Sequence, residues 1–180
     1  AGLVEGEGRG LGALAADLDD DGRVDVFVTN DTTANLLFHN LGGFRFEEVG
    51  HLTGVAASSA GGYMAGMGIS CGDIDGDGRL DLTVANFYDE GSIFFHNLGD
   101  GQFADETAAL GLTAPTRLRL GFGTAMLDAD NDGRLDLAIA NGHVNDYRPK
   151  LPYQMPAQIL WNGPEHRLHD VSDRAGPPFQ

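Results

Sequence analysis

The sequence predicts an all-β fold built from three repeated units, each a four-stranded antiparallel sheet. Three observations carry this expectation. An acidic segment of nine residues occurs three times, as DLDDDGRVD (Asp17 to Asp25), DIDGDGRLD (Asp73 to Asp81) and DADNDGRLD (Asp128 to Asp136), with starts 56 and 55 residues apart. The residues after each segment alternate with a period of two, as strands do. A Gly-x-Gly pair precedes each segment at a constant distance, and a fixed period is the mark of a repeat architecture.

The elements of one unit follow in order. Gly10 and Gly12, Gly66 and Gly68, and Gly121 and Gly123 are each followed by four mostly small or apolar residues. This predicts a short first strand entered through a tight turn. The second strand is VDVFVTN, LDLTVAN or LDLAIAN. Val24, Val26 and Val28, with their counterparts, lie on one face, and mostly small residues lie on the other. Such a strand is central and covered on both sides. NLLFHN, SIFFHN and QILWN form the third strand. The turns LGGF, LGDGQF and GPEHRL lead into a fourth, FRFEEVG, QFADETA or RLHDVSD. Each unit reads as one blade of a β-propeller, or as a similar sheet stacked on its neighbours. The units are expected at residues 1–56, 57–112 and 113–180, together one propeller-like domain. An insertion at 142–157 lengthens the third.

The chain has 180 residues, 42 % of them hydrophobic, enough for one domain with a true core. Its formal charge of −16 argues against nucleic acid or an anionic membrane surface as partner. Thirteen of the 27 acidic residues lie inside the three nine-residue segments, so the acidity reads as cation sites. No apolar run is long enough to span a membrane. The opening AGLVEGEGRG lacks the features of a signal peptide, so a mature or excised segment is expected. The lone Cys71 excludes an internal disulfide.

Four carboxylates held close together repel by about 1 kcal/mol per pair even in water. A hard cation relieves this. Calcium takes six to eight oxygens, and Asp-x-Asp-x-Asp-Gly sets three short carboxylates on one side of a tight loop. The predicted side-chain ligands are Asp17, Asp19, Asp21 and Asp25, then Asp73, Asp75, Asp77 and Asp81, then Asp128, Asp130, Asp132 and Asp136. By analogy with known calcium loops, Arg23, Arg79 and Arg134 contribute only a backbone carbonyl, and the ninth residue closes the site as a bidentate ligand. An EF-hand is excluded, because its twelfth-position glutamate is replaced by Val28, Val84 and Ile139 inside strands.

These residues resemble the FG-GAP/VCBS calcium-binding repeats of integrin α-chain propellers and of many bacterial secreted proteins. The stretch from GMGISCGDIDGDGRLDLTVAN to GQFADETAALGL, with NGHV at Asn141 to Val144, is similar to the secreted cartilage acidic protein family. The resemblance implies a β-propeller, a calcium ion in each of three loops, and an extracellular or cell-surface location, with the periplasm also open. The function expected is a calcium-stabilised module for protein or glycan interaction or adhesion, not an enzyme. The alternative is a structural subunit of a filament that assembles through blade-to-blade contacts. Three blades are too few to close a ring of about four to eight. The chain is therefore expected to be part of a larger propeller or to complete its core against other chains.

Other signals weigh less. GISCG around Ser70 imitates a nucleophile elbow, but that motif needs a following helix, and Ser70 aligns with Leu14 and Ala125. His39 and His96 align with Trp161, so the position reads as packing or an aromatic shelf rather than as a metal ligand. Met64, Met67 and Cys71 read as core. His143 and Tyr147 are the polar-aromatic pair worth probing in the long loop, where ordinary packing is the expectation. Asn30-Asp31-Thr32 is a glycosylation sequon just past a strand, where a glycan could point into solvent.

Overall fold

The computed structural model describes residues 8–176. The expectation about the opening residues falls mostly on positions 1–7, outside that range. Within it are three four-stranded sheets, each antiparallel and each in chain order. The first contains β1 (Gly10–Ala16), β2 (Asp25–Asn30), β3 (Leu36–Gly42) and β4 (Arg45–Glu48). The second contains β5 (Gly66–Gly72), β6 (Asp81–Asn86), β7 (Ile93–Gly99) and β8 (Gln102–Asp105). The third contains β9 (Gly121–Leu127), β10 (Asp136–Asn141), β11 (Gln158–Asn162) and β12 (Leu168–Asp170). This is a three-bladed section of a β-propeller. Two single-turn helices, α1 (Gly50–Thr53) and α2 (Thr113–Thr116), connect successive blades. The sequence gives no sign of them, because four residues without a side-chain cap carry no helical period.

The period-two pattern becomes burial once the blades stack. All six residues of β6 are buried, since the middle blade is covered on both faces. In β2 the burial alternates, with Phe27 and Thr29 turned to the second blade and Val26 and Val28 only half-covered. Leu18, Phe27 and Leu37 of the first blade pack against Leu82, Phe95 and Phe103 of the second. A second core joins Ile74, Ala85 and Phe94 to Leu137, Leu160 and Leu168.

The Gly-x-Gly pairs do something other than open a turn. They lie inside the first strand of each blade, beside register shifts near Gly10, Gly66 and Gly121. β5 runs between β1 and β9, and these innermost strands meet backbone to backbone. A Cβ placed on Gly12 would stand 2.5 Å from the Met67 carbonyl oxygen, and one on Gly68 only 2.2 Å from that of Phe122. At Gly12, Gly66, Gly68 and Gly121 the neighbouring blade approaches too closely for a side chain, whereas Gly10 and Gly123 face atoms of their own blade. Hydroxyls bridge the same seam. Thr29 donates to the Met67 carbonyl at 2.9 Å, and Ser70 shares its hydroxyl with Thr83 at 2.7 Å and Thr124 at 3.2 Å.

Candidate metal centres

Each acidic segment forms the loop between the first and second strands of its blade, and all three loops have the same geometry. The fourth and sixth positions take the left-handed conformation: Asp20 and Gly22, Gly76 and Gly78, Asn131 and Gly133. Glycine, asparagine and aspartate tolerate this best, which explains the residue choice at the fourth position. The turn brings backbone N–H groups onto the carboxylates. The first aspartate accepts from positions five and six, at 3.1 and 2.9 Å for Asp17, 3.0 and 2.8 Å for Asp73, and 3.0 and 2.9 Å for Asp128.

The ninth aspartate is the buried anchor. Asp25, Asp81 and Asp136 are 2, 0 and 1 % exposed. One carboxylate oxygen accepts from the second loop residue, Leu18, Ile74 or Ala129. The other accepts from the third-strand asparagine, Asn40, Asn97 or Asn162. These bonds lock the loop to its own sheet. Carboxylate oxygens of Asp73, Asp75 and Asp81 lie within 4.8 Å of one another, as do those of Asp128, Asp130 and Asp136. In the first loop Asp17, Asp19 and Asp21 converge in this way, and Asp19 and Asp25 converge with His39. Oxygens each 2.3–2.6 Å from one ion cannot be more than about 5 Å apart. The donor sets therefore suit a hard cation such as calcium in chemistry and in spacing.

Two features of the loops escape the sequence reading. The arginine at position seven uses its side chain as well: Arg23, Arg79 and Arg134 ion-pair with the fifth-position Asp21, Asp77 and Asp132. Arg79 and Arg134 also donate through Nε to the Asn97 and Asn162 carbonyls, at 2.7 and 2.9 Å. The guanidinium thus ties the loop to the third strand and removes one unit of its negative charge. The repeated arginine was the available signal.

The second feature is the His39, His96 and Trp161 column, which is not simply packing. A ring nitrogen stands 2.9 Å from Asp19 in the first blade, 3.1 Å from Asp75 in the second, and 2.8 Å from Asp130 in the third. An indole can only donate. The property common to the column is an N–H aimed at the third-position aspartate. The ring nitrogens of His39 and His96 lie within 4.8 Å of the oxygens of Asp19 and Asp25 and of Asp75 and Asp77, whereas the Trp161 indole has no lone pair to offer a metal.

Burial pushes the Asp81 carboxyl up to about 6, against the two backbone N–H bonds it accepts and with Asp75 adding to the rise. Burial raises Asp25 in the same direction. His96 is partly desolvated, but Asp77 and Glu106 outweigh this and raise its pKa. The folded state then binds more protons than the unfolded state between pH 4 and 7, so stability falls as pH rises through that window. Asp81 alone accounts for about 3 kcal/mol of this fall. In a chelating buffer the melting temperature should be higher at pH 5 than at pH 7. A melting temperature that climbs over that interval would contradict these assignments.

One reading needs correction, and the packing expected in the long loop is observed. Asn30 is 1 % exposed and donates through Nδ2 to the Ala34 carbonyl at 2.7 Å, so the sequon faces inward and is closed to a glycan. Its counterparts Asn86 and Asn141 donate to the Gly91 and Pro156 carbonyls in the same manner. The asparagine is a structural clasp after the second strand. In the long loop His143 is 7 % exposed and packed among Phe87, Tyr88 and Tyr147, with ring centroids 5.2–6.0 Å away. Met155 accepts from the Leu120 N–H at 3.3 Å. The insertion therefore folds back onto the second and third blades.

Cartilage acidic protein 1 of Homo sapiens is 33 % identical over 108 residues, and so is that of Mus musculus. The aligned part is 59 % of this chain and only 13 % of each relative. The FG-GAP-like repeat matches residues 17–84 and again 73–139, so each match runs from one aspartate loop into the second strand of the next blade. With its loops, blades and interblade seams all repeating on that period, the chain belongs to the FG-GAP-like repeat family.

Proposed function

We propose that the chain is a calcium-stabilised extracellular module whose blades present surface for protein or glycan interaction. The observation that carries this is the threefold convergence of loop carboxylates, each set anchored by a buried ninth aspartate. Calcium would be held by Asp17, Asp19, Asp21 and Asp25 and by their counterparts in the other two loops. It would neutralise carboxylates that otherwise repel. A location outside the cell is supported by the family and by relatives named for cartilage. No helix among the described residues is long and apolar enough to cross a membrane. We assign Ser70 a structural role, because its hydroxyl is taken up between two threonines of the seam.

A second reading, a subunit that polymerises through its blade faces, is favoured by one observation. The first blade exposes Val24 at 51 % and the third exposes Leu127 at 39 %. Calorimetric titration of calcium into chelator-treated protein tests the first reading. Three sites are expected, falling to two in Asp81→Asn with the fold retained. Absence of binding heat, or three sites persisting in the variant, would refute the ligand assignment.

A further inference from the structure

The two interblade contacts of this molecule share one key. The second residue of an aspartate loop inserts into the following blade. Leu18 is 2 % exposed and packs among Leu82, Phe95 and Phe103, and Ile74 is 2 % exposed and packs among Leu137, Leu160 and Leu168. Its backbone carbonyl is claimed by that blade's third-strand asparagine. Asn97 donates through Nδ2 to Leu18 at 2.9 Å, and Asn162 donates to Ile74 at 2.8 Å. Each amide also holds a carbonyl of its own blade, Leu80 at 3.0 Å or Leu135 at 3.1 Å.

The first blade carries the same receptor without its key. Asn40 donates through Nδ2 to its own Val24 at 2.8 Å and, among the described residues, makes no bond across a blade seam. Beside it Val24, Val26, Phe44 and Phe46 line an open pocket. By strand register Phe46 corresponds to Phe103, which covers Leu18 in the second blade. Phe44 is 90 % exposed at the pocket mouth, at the place where Gly101 abuts Asp19 in the second blade. At the other end of the molecule the third loop has Ala129 at its second position, exposed and three carbons smaller than leucine.

We propose that the open face of the first blade is a socket for a further FG-GAP-like blade, one whose aspartate loop carries leucine or isoleucine at its second position. The incoming residue fills the pocket, its carbonyl takes the free N–H of Asn40, and its loop covers Phe44. A second copy of this chain would present Ala129, which satisfies the hydrogen bond but leaves the apolar pocket underfilled. The inference rests on blade packing and not on the metal, so its failure would leave the calcium reading intact.

The chain can be given the missing key. Ala129→Leu places on its third blade the residue that the socket requires, at a position where the sister loops already hold Leu18 and Ile74. Sedimentation velocity over a concentration series should show head-to-tail association on the order of fifty-fold tighter than wild type, from three more buried carbons. Adding Val26→Glu, which charges the socket wall, should return the variant to wild-type behaviour. Circular dichroism checks the fold of each variant, and Ala129→Ile, matching Ile74, serves if the leucine variant is misfolded. Folded Ala129→Leu and Ala129→Ile variants that associate no more than wild type would overturn the proposal. Wild type associating as tightly as Ala129→Leu would overturn it too, and would assign the socket to a second copy.

Discussion

Chelation is expected to lower the melting temperature of the calcium-saturated chain by about 15–30 °C at neutral pH. The argument is mass action. An ion that binds only the folded state stabilises it by about 2.7 kcal/mol at a hundredfold excess over its dissociation constant, and three equivalent sites give about 8 kcal/mol. For a chain of this size each kcal/mol moves the midpoint by about 2–4 °C. The structure supplies the reason that the unloaded state is costly. Asp81 is fully buried with its carboxyl pushed up to about 6, so at pH 7 it stays ionised in a place that disfavours the charge. The loss on chelation should therefore be smaller at pH 5, where Asp81 can protonate. Superimposable melting curves in excess EDTA and in calcium would remove the metal from this molecule.

Gly68→Ala is expected to destabilise the calcium-loaded protein by about 3 kcal/mol or more, among the largest effects of a single added methyl. The Cβ would stand 2.2 Å from the Phe122 carbonyl oxygen and 2.9 Å from the Gly123 Cα, both backbone atoms of the next blade's innermost strand. Nothing flexible can yield, so the seam between the second and third blades must open. Gly133→Ala provides the contrast. Its Cβ would meet nothing within 4 Å, and the backbone φ of +88° is the sole source of cost, about 1–2 kcal/mol. Urea midpoints of the two variants at saturating calcium distinguish steric wedging from backbone strain. Equal losses would show that the two blades leave room for a methyl group at this seam.

Much of the site was legible because its geometry is set within nine residues. The spacing of Asp17, Asp19, Asp21 and Asp25 and the glycine at the sixth position define a loop whatever surrounds it. Three copies of that loop exclude chance. The strands were legible for the same reason: VDVFVTN and LDLAIAN alternate over a few residues, and alternation is a local property. The sequon at Asn30 misleads only in isolation. VTN, VAN and IAN occupy one repeated position, and neither Asn86 nor Asn141 begins a sequon, which marks the asparagine as structural.

What the sequence determined by itself was therefore the all-β class, the number of blades, which residues share a face of each second strand and the positions of the carboxylates. Only the tertiary structure decided what faces what across a seam. It turned the Gly-x-Gly pairs from turn markers into places of backbone contact, and His39, His96 and Trp161 from packing into N–H donors. It also made the second residue of each aspartate loop the plug of the next blade. The physical reason is one of range. A loop or strand is fixed by torsions and neighbours a few residues away, whereas Leu18 and Asn97, or Gly68 and Phe122, meet only after whole blades have formed and stacked.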